Sequence, residues 1–325
     1  MVTSNRNTQA RPYQHLYGPV PSRRLGRSLG IDLVLPKTCT EACVFCQIGR
    51  TSRLTIERAE YVPAHEVIDE FRHWCDRGGE ADVVTMAGAG EPTLHARFGE
   101  ILAAVRDACD IPTVLLSNGT LFWRRDVRAD ACRAHVVKVS VSAWDQESFQ
   151  RINRPHPELR FDRIMDGIRE FRRTFDGRMW VEVMVLAGLN DALDAMQRIR
   201  TLVEPLRPEH VHLNTSVRPP AESWARPVDR EQLARCAKVF GDAGTVIADA
   251  PRGSGEKITS ARPAAVDILH VLSRRACTIE DLSAGLNLPR ETVAGEVEQL
   301  RDEGSIRAEQ RGDKTFYLAV MASDA

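Results

Sequence analysis

Three cysteines within eight residues, Cys39-Thr-Glu-Ala-Cys43-Val-Phe-Cys46, follow directly on an apolar run, and that pattern demands a tight loop able to turn its sulfurs to one side. Thiolate is a soft ligand that selects zinc, Cu(I) or iron-sulfur clusters. A closed zinc site takes a fourth donor, normally from a second CxxC or a His pair. No such pair follows, because Cys75, Cys109, Cys132, Cys236 and Cys277 stand singly and far apart. The loop therefore leaves one metal position unfilled by protein, and an open position is where a ligand can bind. Zinc, a purely structural cluster, or three unrelated core cysteines remain alternatives at this level.

Around the loop the chain alternates between short apolar runs and amphipathic stretches. Strands are expected at 29–35, 82–86, 112–116, 136–141, 180–186 and 211–215, with a possible further strand at 245–248. Helices are expected at 64–77, 96–109, 161–175, 192–203 and 230–243. Six such units are the rhythm of a parallel α/β sheet with crossover helices, whose chemistry lies on the loops at the C-terminal strand ends. Those ends are polar: Ser117-Asn118-Gly119, Ser140, Ser142, Glu182, and His212, Asn214 and Ser216 at period two on one face. That row is expected to face a substrate in the barrel interior rather than form a solvated edge. Arg218 follows the sixth strand.

The CxxxCxxC spacing, with Phe45 directly before the last cysteine, resembles the cluster loop of the radical S-adenosylmethionine (SAM) superfamily. The resemblance implies a partial (β/α)6 barrel, a 4Fe-4S cluster held by Cys39, Cys43 and Cys46, and SAM on the fourth iron. It also implies reductive cleavage of SAM to a 5′-deoxyadenosyl radical by way of an external electron donor. Ala87-Gly-Ala-Gly-Glu91 is similar to the superfamily's Gly-Gly-Glu motif for the SAM amino group, with Gly90 and Glu91 matching and Ala89 in place of the first glycine. By the same resemblance Ser117 and Asn118 would line the methionine pocket and Ser140 or Ser142 the ribose, with Phe45 and Glu182 also among the cofactor-binding side chains. The opening Tyr17-Gly-Pro-Val-Pro-Ser-Arg-Arg-Leu-Gly-Arg-Ser-Leu-Gly-Ile-Asp32 resembles the Fe-S oxidoreductase branch distantly related to the tRNA wyosine-base synthases.

Residues 1–30 hold five arginines and no acid, in a chain whose net charge is −1. Arg23, Arg24 and Arg27, set in a Pro and Gly frame, are expected to receive an anionic substrate (RNA, nucleotide or peptide), together with His212, Asn214 and Arg218. The division expected is a basic arm at 1–12, the barrel at 13–260 and an accessory domain at 261–325. In that last part three helices and a hairpin with its turn at 310–314 look like a winged helix-turn-helix. Residues 264–325 carry 7 Lys and Arg against 11 Asp and Glu, a sign that disfavours DNA and points to protein or RNA contact. A Gly-Ser-Gly-Glu-Lys stretch at 253–257 lacks the spacing of a phosphate-binding loop. No run is long and apolar enough for a membrane span and the first residues lack a signal-peptide core, so a cytoplasmic protein is expected. The alternative function is an iron-sulfur regulator that reads nucleic acid.

Overall fold

The computed structural model describes residues 13–22, 24–248, 268–269, 271–286 and 288–320. The expected arm at 1–12, the stretch at 251–263 and Arg23 lie outside them, as do residues 264–267 and 270 of the accessory part.

Eight strands form one sheet: β1 (Leu16–Ser22), β2 (Gly26–Ile31), β3 (Val83–Met86), β4 (Thr113–Leu116), β5 (Val136–Ser140), β6 (Arg178–Val185), β7 (His210–Thr215) and β8 (Gly244–Val246), hydrogen-bonded in that order. β2 through β8 are parallel, while β1 runs antiparallel to β2 with Leu16 opposite Ile31. The sequence reading missed β1, because its Gly-Pro-Val-Pro interior breaks the apolar pattern of a strand. Tyr17 explains why Gly30 sits opposite it: a Cβ on Gly30 would lie 2.0 Å from the tyrosine ring.

Helices α1 (Ala64–Asp76), α2 (Phe98–Ala108), α3 (Arg125–Ala131), α4 (Gln146–Ile152), α5 (Phe161–Thr174), α6 (Leu193–Val203) and α7 (Arg230–Lys238) make the connections. Each helix buries an apolar stripe, such as Val67, Ile68, Phe71 and Trp74 of α1, against outward strand residues such as Val84, Val137 and Val181. The other strand faces point inward. Leu25, Val83, Val114, Val136 and Trp180 form an apolar floor there, and above it the inward positions turn polar.

Beyond the sheet, α8 (Ile279–Leu286) and α9 (Arg290–Asp302) precede a hairpin of β9 (Ile306–Arg311) and β10 (Lys314–Ala319). Arg311 pairs with Lys314, so the turn is tighter than the sequence suggested and Gln310 and Lys314 belong to the strands. These elements have their own core, and Val20 of β1 is part of it. Among the described residues no helix is long and apolar enough to cross a membrane.

Candidate active site

The cysteine loop leaves β2 and is pinned by backbone bonds to the end of α4: Val44 N–H donates to Ile152 O (3.0 Å) and Ala42 N–H to Asn153 O (3.1 Å). On its other side Gly90 packs against it so closely that a Cβ there would lie 1.9 Å from Thr38 O. Glu91 is buried behind Cys39. Its Oε1 accepts from Thr93 N–H, Thr93 Oγ1–H (2.6 Å) and Ser117 Oγ–H (2.7 Å), and its Oε2 from Asn118 N–H (2.8 Å). The carboxylate thus welds the Ala87–Glu91 turn to the Ser117–Asn118 turn. A carboxylate offers about two acceptor sites on each oxygen; three donors share those of Oε1, so the second site of Oε2 is what is left for a ligand. Burial raises the Glu91 pKa, and the bonds from Asn118 and Thr93 oppose that rise.

Two side-chain amides reach the cysteine sulfurs. Asn118 Nδ2 lies 3.6 Å from Cys39 Sγ and donates to Thr40 Oγ1 at 2.7 Å. Asn153 Nδ2 lies 3.5 Å from Cys43 Sγ and 3.3 Å from Glu41 Oε2. Glu41 accepts from the Cys43 thiol at 3.1 Å, and burial pushes its carboxyl up to about 8 against the hydrogen bonds from Cys43 and Asn153. The three thiols are half-buried, and burial raises the pKa of each, with the carboxylates of Glu91 and Glu41 adding to the rise at Cys39 and Glu41 at Cys43 and Cys46. No three His, Cys, Asp or Glu side chains among the described residues are gathered as a single metal ion would need. Hydrogen bonds to ligand sulfurs are among the features that tune iron-sulfur sites, and Asn118 and Asn153 are placed to supply them.

Cys46 and Phe45 open onto a cavity of about 350 Å³ bounded by the barrel interior. Its middle is a charged cluster: Glu182 is 3.0 Å from Arg24 Nη1, 2.8 Å from Lys138 Nζ, and accepts from Asn214 Nδ2 at 3.0 Å. Burial pushes the Glu182 carboxyl up, but Arg24 and Lys138 outweigh it and hold the group well below the usual carboxylate range. Glu182, expected to bind cofactor, is therefore committed to the protein's own cations. His212, expected to face the substrate, is not among the described residues that line the cavity; it is buried, edge-on to Trp180 with ring centroids 5.1 Å apart. Burial, then the charge of Arg24, pushes its pKa down to about 4, which keeps it neutral.

Of the other expected residues, Ser140, Asn214 and Arg218 line the cavity, Arg218 donating to Gln47 Oε1 at 2.6 Å. Ser142 faces a separate space of about 10 Å³, and its hydroxyl accepts from Met184 N–H. Arg27 is a correction: its guanidinium lies 3.6 Å from Glu80 and 3.9 Å from Asp82, at the N-terminal end of the parallel strands and away from the cavity. Lys138 was missed, although a lysine inside Val-Val-Lys-Val-Ser at period two with Ser140 was a legible signal. Tyr17, Arg274 and Arg275 also line the cavity, and no local pattern could have announced the last two.

A sequence model of the radical SAM superfamily matches residues 33–199, half of the chain. The chain belongs to the radical SAM superfamily. Members of this superfamily bind a 4Fe-4S cluster and SAM, and the donor set around Cys39, Cys43 and Cys46 fits both. A UPF0026 protein of Methanocaldococcus jannaschii is 30% identical over 312 residues, covering 94% of this chain and 96% of that protein. A Brachyspira hyodysenteriae protein named GTPase Obg is 30% identical over 315 residues, covering 95% of this chain but 46% of that relative, so the chain spans less than half its length. Among solved structures, a radical SAM methyltransferase from Sphaerobacter thermophilus matches with a TM-score of 0.50 at 18% identity, over 67% of this chain and 65% of that one. That likeness is one of fold, an α/β architecture with a mostly parallel central sheet.

Proposed function

We propose that this radical SAM protein is an enzyme that cleaves SAM reductively and abstracts a hydrogen atom from a substrate held in the barrel cavity. The observation that carries the reading is the opening of Cys46 and Phe45 onto that cavity at the C-terminal ends of the strands, where βα folds place their chemistry. Cys39, Cys43 and Cys46 would hold the cluster, which with SAM and an external electron donor supplies a 5′-deoxyadenosyl radical. Asn118 and Asn153 would direct amide N–H groups at two of its sulfurs. Glu91 would present Oε2 to the SAM ammonium while fixing Ser117 and Asn118 beside it. Ser140, at the cavity wall, suits the ribose better than Ser142, whose hydroxyl is engaged by Met184. Glu182, Lys138 and Asn214 would form a preorganised polar layer beneath the reacting groups. The apolar floor around Trp180 would keep water from the reacting groups on that side.

The opening sequence motif supports a place in the oxidoreductase branch distantly related to wyosine-base synthases. The helices and hairpin after residue 279 are compatible with a winged helix that has turned from DNA to holding the barrel edge. The regulator alternative draws no support from a cluster loop that opens on an internal cavity. The deciding experiment is anaerobic reconstitution, followed by 5′-deoxyadenosine release from SAM with dithionite. Release in the parent and none in Cys39→Ala, Cys43→Ala or Cys46→Ala is the expected result. Stoichiometric zinc without iron would overturn it.

A further inference from the structure

We infer that the substrate carries an oxyanion, a phosphate or carboxylate, received by a cation set that the barrel does not build alone. Its members are Arg24 from the turn after β1, Lys138 on β5, and Arg275 from the segment that leads into α8. The inference rests on the radical SAM reading of the cavity and adds the substrate class and a second element that recognises it.

Charge is the first ground. Among the described residues lining the cavity stand Arg24, Lys138, Arg218, Arg274 and Arg275, against a single carboxylate, Glu182. Asp32, outside the lining, takes up Arg274 at 3.1 Å and also accepts from Ala89 N–H. Glu182 serves Arg24 and Lys138 together and can neutralise only one of them. With Asp32 facing Arg274 and Asp281 attracting Arg275, positive charge still outnumbers negative around this partly open cavity, a cost that an entering anion relieves.

The second ground is Arg24 itself. Its Nη1 is buried and has no hydrogen-bond partner, although Glu182 Oε1 is only 3.0 Å away. The pair is therefore a contact of charges in which the N–H groups are not aimed at the carboxylate, and a well-placed oxygen in the cavity would complete the donor.

Arg275 supplies the third. Its Nε donates to Cys277 Sγ at 3.2 Å and its Nη2 to Pro21 O at 3.5 Å. Both hydrogen-bond partners are neutral, and the buried Asp281 carboxylate adds a charge attraction, so the guanidinium is held in place. Anchoring reduces the entropy lost when it grips a ligand, and its five donors in a fixed fork favour phosphate or carboxylate over neutral groups. Docking of the C-terminal elements does not explain a cation here, since apolar contact already holds them: Val20 enters their core, and Gly285 is packed so that a Cβ would lie 2.5 Å from Pro21. SAM would share this cavity of about 350 Å³, so the space beside it suits the anionic end of a substrate.

The test is calorimetric titration of inorganic phosphate, and separately acetate, into the anaerobically reconstituted full-length protein saturated with SAM. Saturable binding of either anion is expected, and the tighter of the two identifies phosphate or carboxylate as the source. Arg24→Gln and Arg275→Gln should each weaken that binding by about tenfold or more, the loss of one charge-assisted contact. Arg275→Lys should recover part of it, and SAM affinity should stay within about threefold throughout. Absence of saturable binding, or equal binding in the variants, overturns the inference. A fall in SAM affinity that matches the fall in anion affinity also overturns it, by assigning these cations to the SAM carboxylate. Should Arg24→Gln fail to fold, the two Arg275 variants decide alone. Anion binding intact in a protein that releases no 5′-deoxyadenosine would sink the proposed reaction and leave the anion site standing.

Discussion

Glu182→Gln tests whether the polar layer of the barrel is held by charge. The substitution keeps the shape and an oxygen for Asn214 Nδ2 but leaves Arg24 and Lys138, whose side chains are only 18% and 10% exposed, without their shared anion. Removing one partner of a buried ion pair costs roughly 3–5 kcal/mol, because the remaining charge keeps its desolvation penalty and loses its compensation. At about 2–4 °C per kcal/mol for a large domain, the melting temperature should fall by roughly 6–20 °C. Adding Lys138→Met removes one of the stranded cations, and the double variant should regain several degrees, since an apolar replacement for a buried pair is often near neutral. Differential scanning fluorimetry under anaerobic conditions reads both shifts. The sign with pH also follows: a carboxyl held below its ordinary range stabilises the fold above about pH 4.5 and loses that contribution as acid protonates it. A drop under about 2 °C in Glu182→Gln, or a double variant no better than the single, would refute the argument from buried charge.

Anaerobic reconstitution should give about four irons per chain, lost in each of Cys39→Ala, Cys43→Ala and Cys46→Ala and retained when Cys75, Cys109, Cys132, Cys236 or Cys277 is replaced singly; iron analysis and visible absorbance check it. Glu91→Gln should keep the cluster but weaken SAM binding by about tenfold or more in equilibrium dialysis, with unchanged affinity showing that Oε2 does not meet the ammonium. Asn118→Ala and Asn153→Ala should lower the cluster reduction potential, because each removes an N–H aimed at a ligand sulfur; a potential equal to the parent's in redox-titrated EPR would count against that role. His212 is held near 4 by burial, so the unfolded chain binds its proton first and stability should decline as pH falls from about 6.5 towards 4; His212→Gln should flatten that part of the melting-temperature profile, and a profile parallel to the parent's would contradict it.

Local chemistry made the cluster loop and the βα alternation legible in the sequence. Strands of a parallel sheet are covered on both faces and so read as apolar runs, as Val83–Met86 and Val136–Ser140 do, and a loop of three cysteines marks a candidate metal site by spacing, with the kind of metal left to the family resemblance. The inward facing of Glu182 and Asn214 followed from period two on a strand, a local rule as well. What the sequence could not determine was direction and partnership over long separations. Arg24 and Arg27 are three residues apart, yet the turn between β1 and β2 aims one at Glu182, far along the chain, and leaves the other with Glu80 and Asp82 at the opposite end of the barrel. Glu91 is read from its motif as a ligand for SAM, and only packing shows that Thr93, Ser117 and Asn118 have occupied most of its acceptors. Arg275 reaches the cavity because the second core takes Val20 from β1, a contact across some 250 residues of chain that no periodicity encodes. Propensity and spacing act over a turn or a strand, whereas the charge of a cavity is the sum of what distant elements bring to it.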